Sequence, residues 1–267
     1  MKKIAIIGHG YVGKAMHQYF GEHYDIAIYD PALGYDDTVK INECELAVVC
    51  VPTPMLDDGT CDTTIVEEVF EWLRVPLVLV KSTVPPGTTN YLQTKYPHGS
   101  VAFSPEYIGE GKYEVQWWKD KGYPHPTDMR KHDFFIFGGR RDVTSKIIAF
   151  FQTVTGPDPK YIQTDSVTAE LTKYMENSWG AMKVTFCNEF YEIAKALGVD
   201  YNEMRELWLL DGRVERMHTA VFPDKRGFGG KCFPKDVNGI VKRVEASGYV
   251  PELLLEVLRS NSKFRGQ

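Results

Sequence analysis

The chain has 267 residues with 31 basic and 36 acidic side chains, a net charge of −5, and 43% hydrophobic residues. This is the composition of a globular protein of about two domains, without the basic footprint of a nucleic-acid-binding protein. Its apolar runs fall far short of the roughly 20 residues of a membrane helix, and five cysteines without close pairing favour a reducing compartment, so we expect a cytoplasmic protein without membrane or nucleic-acid partners.

The first part of the chain alternates short β-branched runs with helical stretches. This alternation indicates βαβ units, and therefore an α/β fold with a doubly wound, mostly parallel sheet over residues 1–163. The predicted strands are Lys3–Ile7, Ile26–Tyr29, Leu46–Cys50, Leu77–Lys81, Val101–Ser104 and Phe134–Gly138. The predicted helices are Tyr11–Phe20, Thr63–Leu73, a short one from Gly87, and Thr144–Thr153.

The pattern changes after residue 165. Hydrophobic residues now recur at three- and four-residue steps, which predicts one long amphipathic helix over Ser166–Leu197. Asp200 and Glu203 have the spacing of a capping box and predict the start of another helix. We therefore expect a helical domain over residues 164–267, with further helices at Asp236–Ser247 and Glu252–Ser260.

A glycine-rich motif follows the first predicted strand and opens the first predicted helix. It fits G-x-G-x-x-G, in which the glycines make a tight turn, let the backbone approach a pyrophosphate and allow close helix packing. Asp30 ends the next strand, where it would accept hydrogen bonds from ribose hydroxyls and repel a 2′-phosphate, which favours NAD over NADP. The predicted contacts of this Rossmann-like unit with NAD are Gly8, Gly10, Tyr11, Val12, Gly13 and Asp30.

Two other interpretations of this motif are open. Residues 8–14 also fit the start of a Walker A loop, but Ala15 stands where that loop needs a hydroxyl to hold Mg²⁺. The motif could also be a glycine-rich turn that binds nothing.

A second glycine-rich stretch, Gly227–Gly230, is followed by Cys232. Three glycines within four residues indicate positive φ angles or a close approach of the backbone to another group. Lys231 and Lys235 flank the cysteine and favour its thiolate. The surrounding segment 213–243 holds eight basic and three acidic residues, so we expect an anionic substrate, although such a run can also be a solvated face.

Lys173 and Asn177 lie four residues apart on the long predicted helix and therefore share a face. A lysine and an asparagine stacked in this way can jointly stabilise a developing oxyanion. The alternative is that both are simply exposed polar residues.

These motifs, taken in order, resemble the UDP-glucose/GDP-mannose dehydrogenase family. The resemblance implies an NAD-dependent four-electron oxidation of the primary C6 alcohol of a nucleotide sugar to the carboxylate, as in UDP-glucose 6-dehydrogenase. It rests on Gly8–Gly13, Val51–Pro54, Asp57–Gly59, Lys81–Thr89, Ser104–Tyr107, Glu170–Tyr174 with Asn177, Asn188 with Glu189, and the Cys232 loop.

The resemblance also implies roles for individual residues. Cys232 would hold the intermediate aldehyde as a thiohemiacetal and then as a thioester, because a thiohemiacetal can lose a second hydride. Lys173 and Asn177 would stabilise oxyanions or move the first proton, and Asp236 would tune Lys173 or orient water. Glu106 and Thr83 match a water-handling pair in which Glu106 is the base for thioester hydrolysis.

Further contacts follow from the same resemblance. The implied cofactor contacts are Val51, Pro52, Thr53, Ser82 and Thr83. The implied substrate contacts are Glu106, Tyr107, Ile108, Glu110, Lys173, Asn177, Arg213, Phe228, Gly229 and Gly230. The seven histidines lack metal-ligand spacing, so we expect no metal.

Two other functions are open. A two-electron dehydrogenase of the β-hydroxyacid type would share the NAD-binding domain and the Lys173/Asn177 helix, but its chemistry needs no nucleophilic thiol. A non-catalytic nucleotide-binding derivative would not need the set of catalytic side chains. We also expect a homodimer built on the helix Ser166–Leu197, because large apolar residues lie on more than one of its sides.

Family members normally continue into a third, Rossmann-like domain that helps to enclose the nucleotide. The chain ends at Gln267, so we expect that domain to be absent. A long excursion from the sheet at residues 112–132 carries Tyr113, Trp117, Trp118 and Tyr123. We hypothesise that this loop and the basic segment replace part of the nucleotide site, since aromatic rings suit stacking on a base or sugar. Alternatively, these rings cover the sheet edge.

Overall fold

The computed structural model describes residues 1–108 and 128–266. The chain divides into a first unit, Met1–Thr53 with Asp62–Lys173, and a second unit, Pro54–Cys61 with Tyr174–Gln267. This division lies within the long helix and not at residue 163. The reason is that the first turns of the helix belong to the sheet domain, where Ala169 is fully buried in the core.

A seven-stranded sheet forms the first unit, with the order β2-β1-β3-β4-β5-β6-β7 in the described residues. Neighbouring strands are parallel except for β5 and β6, which are antiparallel, so the predicted mostly parallel α/β sheet is confirmed. The strands are β1 (Lys3–Ile7), β2 (Asp25–Tyr29), β3 (Leu46–Val49), β4 (Leu77–Val80), β5 (Ser100–Phe103), β6 (Phe134–Gly138) and β7 (Lys160–Thr164).

Two layers of helices cover the sheet. The helices of the first unit are α1 (Tyr11–Phe20), α2 (Thr38–Asn42), α3 (Thr64–Trp72), α4 (Thr88–Lys95) and α5 (Arg141–Thr155). One core contains a cluster of buried aromatic rings from α1, β6 and α5, and the other is mainly aliphatic and includes residues of α3 and α4. Residues 4–7 and 46–49 are fully buried, which explains why β1 and β3 read as continuous apolar runs.

Two elements were not predicted from the sequence. Strand β7 is an edge strand that is only partly buried, so it lacks an apolar run. Helix α2 has only five residues, and it is capped by Asp37, whose Oδ1 accepts from the backbone N–H groups of Val39 and Lys40 at 3.1 Å.

The strand order places a switch point between β1 and β3. The chain leaves β1 towards β2 and then returns to β3 on the other side of β1, so the loops after β1 and β3 diverge. Ligands of open α/β sheets bind in the crevice at such a point, beyond the carboxyl ends of the strands. The predicted cofactor residues Gly8–Gly13 and Val51–Thr53 follow these two strands.

A buried carboxylate ties the long helix to α4. Glu170 is fully buried and accepts hydrogen bonds from the backbone N–H of Gly87 at 2.6 Å and of Thr89 at 2.8 Å, and from Thr89 Oγ1 at 2.6 Å. These N–H groups belong to the first turn of a helix and have no intrahelical partner, so the carboxylate serves as their cap.

Substituting Glu170 by alanine is therefore expected to destabilise the protein. The two N–H groups would be left buried without an acceptor, which lowers the free energy of unfolding by roughly 2–3 kcal/mol. Urea denaturation followed by circular dichroism measures the change. Glu170→Gln, which keeps one carbonyl acceptor, should lose less, and an alanine variant as stable as the parent would contradict the capping role.

The second unit is helical. Its elements are the greater part of α6 (Ser166–Ala196), with α7 (Tyr201–Trp208), α8 (Cys232–Glu245) and α9 (Glu252–Arg265). Asp200 caps α7 as predicted, by accepting from Asn202 N at 2.8 Å. The predicted start of α8 at Asp236 is wrong, because the helix begins at Cys232. Pro234 is tolerated there, since a proline in the first turn removes an N–H that has no helical partner.

Close packing joins α6 to the start of α8. A Cβ atom on Gly180 would come within 2.6 Å of the Phe233 ring, so only glycine admits that ring at this distance. Ala181, Phe228, Val237 and Val257 form the buried core around this contact. Among the described residues, we find no helix with the length and apolar character needed to cross a membrane.

Candidate active site

The three glycines of the first motif have the geometry that a dinucleotide loop requires. Gly8 has φ +85°, and a Cβ there would lie 2.7 Å from the carbonyl oxygen of Cys50. A Cβ on Gly13 would overlap the carbonyl oxygen of Gly8, whereas a Cβ on Gly10 would meet nothing within 4 Å. Gly8 therefore makes the turn, Gly13 permits close helix packing, and Gly10 leaves open space for a ligand.

The carboxylate of Asp30 is held against this loop. Its Oδ2 accepts from the backbone N–H of His9 at 2.7 Å. Helix α1, which the loop opens, has no acidic residue in its first turn, so its N-terminus can attract a phosphate. These residues fit NAD, while Ala15 is 3% exposed and offers no hydroxyl for Mg²⁺, which argues against the Walker A interpretation.

Hydroxyl groups connect the loops that follow β3 and β4. Thr53 Oγ1 donates to the carbonyl oxygen of Thr83 at 2.8 Å, and Ser82 Oγ donates to that of Val51 at 2.7 Å. Both hydroxyl-bearing residues are buried. The predicted cofactor residues of these loops are thus brought together, with Thr53 and Ser82 acting as the internal links.

An ion pair in the first unit joins two of the predicted catalytic residues. Lys173 Nζ lies 3.3 Å from Glu106 Oε1, and the two side chains are 6% and 14% exposed. Glu106 Oε2 accepts from Ile108 N at 2.7 Å, and Lys173 Nζ lies 5.2 Å from the centre of the Tyr107 ring. The carboxylate and the ammonium group are therefore both held in place, as a base and an electrostatic group need to be.

The alternative of exposed polar residues on α6 is wrong. Lys173 is 5% exposed and Asn177 is 7% exposed. In the second unit, Asn177 Nδ2 donates to Asp236 Oδ2, and Lys235 Nζ lies 2.5 Å from Asp236 Oδ1. Asp236 is itself 1% exposed, so it is a buried carboxylate that orients the amide of Asn177.

Cys232 is the first residue of α8, which has no acidic residue in its first turn. The positive end of the helix dipole favours a negative charge at this position, as it does for reactive thiolates. Burial raises the pKa of Cys44 to about 11 and that of Cys50 to about 12, so those two thiols stay protonated at neutral pH. Among the described residues, none of the five cysteines forms a disulfide bond.

Two buried asparagines hold the glycine-rich loop in front of Cys232. Asn188 Oδ1 accepts from Gly227 N at 3.1 Å. Asn261 accepts from Phe228 N at 2.6 Å and donates to Phe228 O at 3.0 Å. No local pattern in the sequence marks Asn261, because its partner Phe228 is 33 residues away along the chain.

The remaining predicted substrate residues have varied surroundings. Phe228 is 3% exposed and belongs to the core of the second unit, so its backbone and not its ring can face a ligand. Arg213 is exposed and pairs with Asp211 at 2.5 Å. Glu110 lies outside the described residues, as do Tyr113, Trp117, Trp118 and Tyr123 of the aromatic loop.

The positive charge of segment 213–243 is largely compensated. Arg213, Arg216 and Arg226 pair with acids outside the segment, at Asp211, Glu206 and Glu192. The net charge counted along the segment therefore overstates the local field. Within residues 1–108 and 128–266, no group of three His, Cys, Asp or Glu side chains could hold a metal ion.

One buried cation near Glu106 was not predicted as a site residue. Lys81 directly follows β4, is 2% exposed, and donates to Pro105 O at 2.8 Å and to Ser104 Oγ at 3.2 Å. The signal that could have found it is a lysine placed at the end of a continuous apolar run, Leu77–Val80.

The amino-acid sequence matches two models of one family. Residues 33–120 match the NAD binding domain of the UDP-glucose/GDP-mannose dehydrogenase family, and residues 167–263 match its central domain. A UDP-glucose 6-dehydrogenase of Rickettsia bellii is 31% identical over 238 residues, which is 84% of this chain and 50% of that protein. The chain spans about half the length of the curated relatives it matches.

Solved structures show the same likeness. A UDP-glucose dehydrogenase from Pyrobaculum islandicum has a TM-score of 0.81 and 26% identity, covering 98% of this chain and 68% of that one. A 3-hydroxyisobutyrate dehydrogenase of Mycobacterium tuberculosis has a TM-score of 0.72 at 16% identity, covers all of this chain and 94% of that one, and shows a similar fold only. The chain belongs to the UDP-glucose/GDP-mannose dehydrogenase family, with its NAD-binding and central domains.

Proposed function

We propose that the protein is an NAD-dependent dehydrogenase that oxidises the primary alcohol of a nucleotide sugar to a carboxylate, in the manner of a UDP-glucose 6-dehydrogenase. The observation that carries this proposal is Cys232 at the first residue of α8, behind a loop anchored by two buried asparagines. A two-electron alcohol oxidation has no use for a nucleophilic thiol, whereas a four-electron oxidation needs one to hold the aldehyde.

The first oxidation converts the alcohol to an aldehyde. Gly8–Gly13 and Asp30 would hold NAD, which would supply the hydride acceptor. Lys173 and Asn177 stabilise the developing alkoxide, and the hydroxyl proton passes to a base. The ion pair with Glu106 and the hydrogen bond to Asp236 keep the ammonium and the amide oriented for this task.

The second oxidation takes place at the substrate carbon while this carbon is bonded to the sulfur of Cys232. The Cys232 sulfur adds to the aldehyde carbon while the thiol proton passes to the aldehyde oxygen. The resulting thiohemiacetal becomes a thioester when its hydroxyl loses a proton and its carbon loses a hydride, which a second NAD at the same loop would accept. Glu106 then removes a proton from water, which attacks the thioester carbon and breaks the carbon–sulfur bond. The carboxylate is released and Cys232 recovers its proton, so the thiol is regenerated in each turnover.

The stoichiometry of NADH tests this proposal against its alternatives. We expect two NADH for each alcohol consumed, with UDP-glucose as the first substrate to test, because relatives carry that name. One NADH would indicate the β-hydroxyacid type of dehydrogenase, whose fold the chain shares. No NADH with any nucleotide sugar, together with intact NAD binding, would indicate a binding protein. Cysteines that form no disulfide bond are consistent with the reducing cytoplasm that we propose as the protein's compartment.

A preference for NAD over NADP is expected. Asp30 is fixed by His9, so its charge would stand close to a 2′-phosphate and repel it. Calorimetry should give a Kd for NADP at least about tenfold higher than for NAD, since close like charges disfavour binding by about 1.4 kcal/mol or more. Asp30→Asn should narrow the difference, and equal affinity in the unchanged protein would contradict this role.

We also propose a homodimer formed through α6. Large apolar side chains on this helix are exposed in the second unit, with Met175 at 75%, Trp179 at 57% and Phe186 at 49%. A monomer rarely leaves so much apolar surface in water. Light scattering at micromolar concentration should show a dimer, and Trp179→Asp should shift it to the monomer. A monomeric parent protein would contradict the proposal.

A further inference from the structure

Lys81 is a buried cation that the proposed reaction does not use. It follows the central strand β4 and is 2% exposed, among side chains such as Val80 that are fully buried. Taking an ammonium group out of water is unfavourable unless the group is paired and hydrogen-bonded. An apolar side chain would suit this position better for stability alone, so the lysine calls for a reason other than packing.

The hydrogen bonds of Lys81 lead to the catalytic carboxylate. Its ammonium group donates to Pro105 O at 2.8 Å and to Ser104 Oγ at 3.2 Å. These acceptors belong to the two residues that directly precede Glu106. Lys81 and Glu106 also line the same small cavity, together with Tyr107. The lysine therefore fixes the segment from which the Glu106 side chain projects.

Three other groups act on the charge of Lys81. Burial lowers the pKa of Lys81 to about 8, against the opposing effects of Glu106 and Cys50, while Lys173 lowers it further. The pKa of Cys50 is raised to about 12 by burial, so this thiol is neutral at the pH values concerned. Among the described residues, the charges that act on Lys81 are thus the carboxylate of Glu106 and the ammonium of Lys173, and the imidazole of His132 also lines the cavity that Lys81 and Glu106 share.

We propose that Lys81 is a positioning residue for Glu106, which it serves by anchoring the preceding segment and by sharing the carboxylate charge with Lys173. This inference rests on the proposed function for its effect on turnover, but its electrostatic part concerns the first unit alone. While Lys81 is charged, the carboxylate of Glu106 interacts with two cations, Lys81 and Lys173. Its attraction for Lys173 is then weaker, and the ammonium group of Lys173 interacts with the substrate oxygen.

A pH dependence follows. Above about pH 8 Lys81 loses its proton, and Glu106 then interacts with Lys173 alone. The stronger attraction between Glu106 and Lys173 weakens the interaction of Lys173 with the substrate oxygen. We therefore expect kcat to fall as the pH rises, with a midpoint near pH 8. Lys81→Met should lower kcat roughly 10- to 100-fold because Glu106 is misplaced. It should also remove the fall of kcat at basic pH, which we call the basic limb of the pH profile.

Two further variants make the kinetic test specific. Lys81→Arg keeps a positive charge at all accessible pH values, so it should restore part of the kcat and move the basic limb upwards. As a control, Lys160→Met removes an exposed lysine of the same unit. This variant should have the kcat of the parent protein and the same basic limb in its pH profile. A Lys81→Met variant with the kcat and pH profile of the parent would overturn the proposal.

A measurement without turnover separates this inference from the proposed function. In full-length protein labelled with ¹⁵N-lysine, the Nζ resonance of Lys173 should shift near pH 8, and Lys81→Met should abolish that shift. A Lys173 resonance that does not move near this pH, or moves equally in the variant, would overturn the inference. If the parent lacks dehydrogenase activity but shows the Lys81-dependent shift, the proposed function fails and the coupling stands.

Discussion

Cys232→Ser is expected to abolish carboxylate formation while leaving NAD binding intact. A serine hydroxyl is not ionised at neutral pH and has no strong base to activate it, so the aldehyde is not captured and the second oxidation does not occur. The rate of carboxylate production should fall by roughly 10³-fold or more, as for the loss of other catalytic nucleophiles. Product analysis by mass spectrometry and NADH absorbance measure the two oxidations separately.

The matched control is another cysteine of the second unit. Cys61→Ser also removes a half-buried thiol that forms no disulfide bond, but Cys61 does not lie at the start of a helix next to the glycine-rich loop. It should leave the NADH stoichiometry of the parent unchanged. A Cys232→Ser variant that makes carboxylate at nearly the parental rate would show that the covalent mechanism is wrong.

Asp236→Ala is expected to reduce both stability and turnover. The substitution leaves Asn177 and the ammonium of Lys235, which is 12% exposed, without their buried partner. Breaking such a pair lowers the free energy of unfolding by about 3 kcal/mol. The amide of Asn177 also loses its orientation, which should lower kcat by roughly 10²-fold. Urea denaturation and steady-state kinetics measure the two effects.

A double variant separates these effects. Lys235→Met combined with Asp236→Leu removes both charges and fills the space with apolar groups, which can restore most of the stability. The kcat should stay low, because no carboxylate then orients Asn177. If kcat recovers together with stability, Asp236 acts only through folding, and its proposed part in catalysis is wrong.

Most of the sheet could be predicted because its determinants are local. The buried strands β1, β3 and β4 are continuous apolar runs. In the first motif, Gly8 with φ +85° and Gly13, whose Cβ would overlap the carbonyl oxygen of Gly8, meet requirements of the backbone. By contrast, β7 is a half-exposed edge strand that lacks such a run. Helix α8 begins at Cys232 and not at the predicted Asp236, because the first turn of a helix accommodates a proline such as Pro234.

The sequence by itself determined the α/β class, the dinucleotide loop, the long helix and the identity of the candidate side chains. Helical spacing put Lys173 and Asn177 on one face, but only the tertiary structure decided that both are buried, one with Glu106 and the other with Asp236, 59 residues away. It also decided that Lys81 lines the same cavity as Glu106, and that acids outside segment 213–243 compensate part of the positive charge of that segment. The physical reason is that periodicity and backbone requirements act over a few residues and can be read along the chain. Burial and charge pairing depend instead on which distant residues the packed sheet and helices bring within a few ångströms of one another.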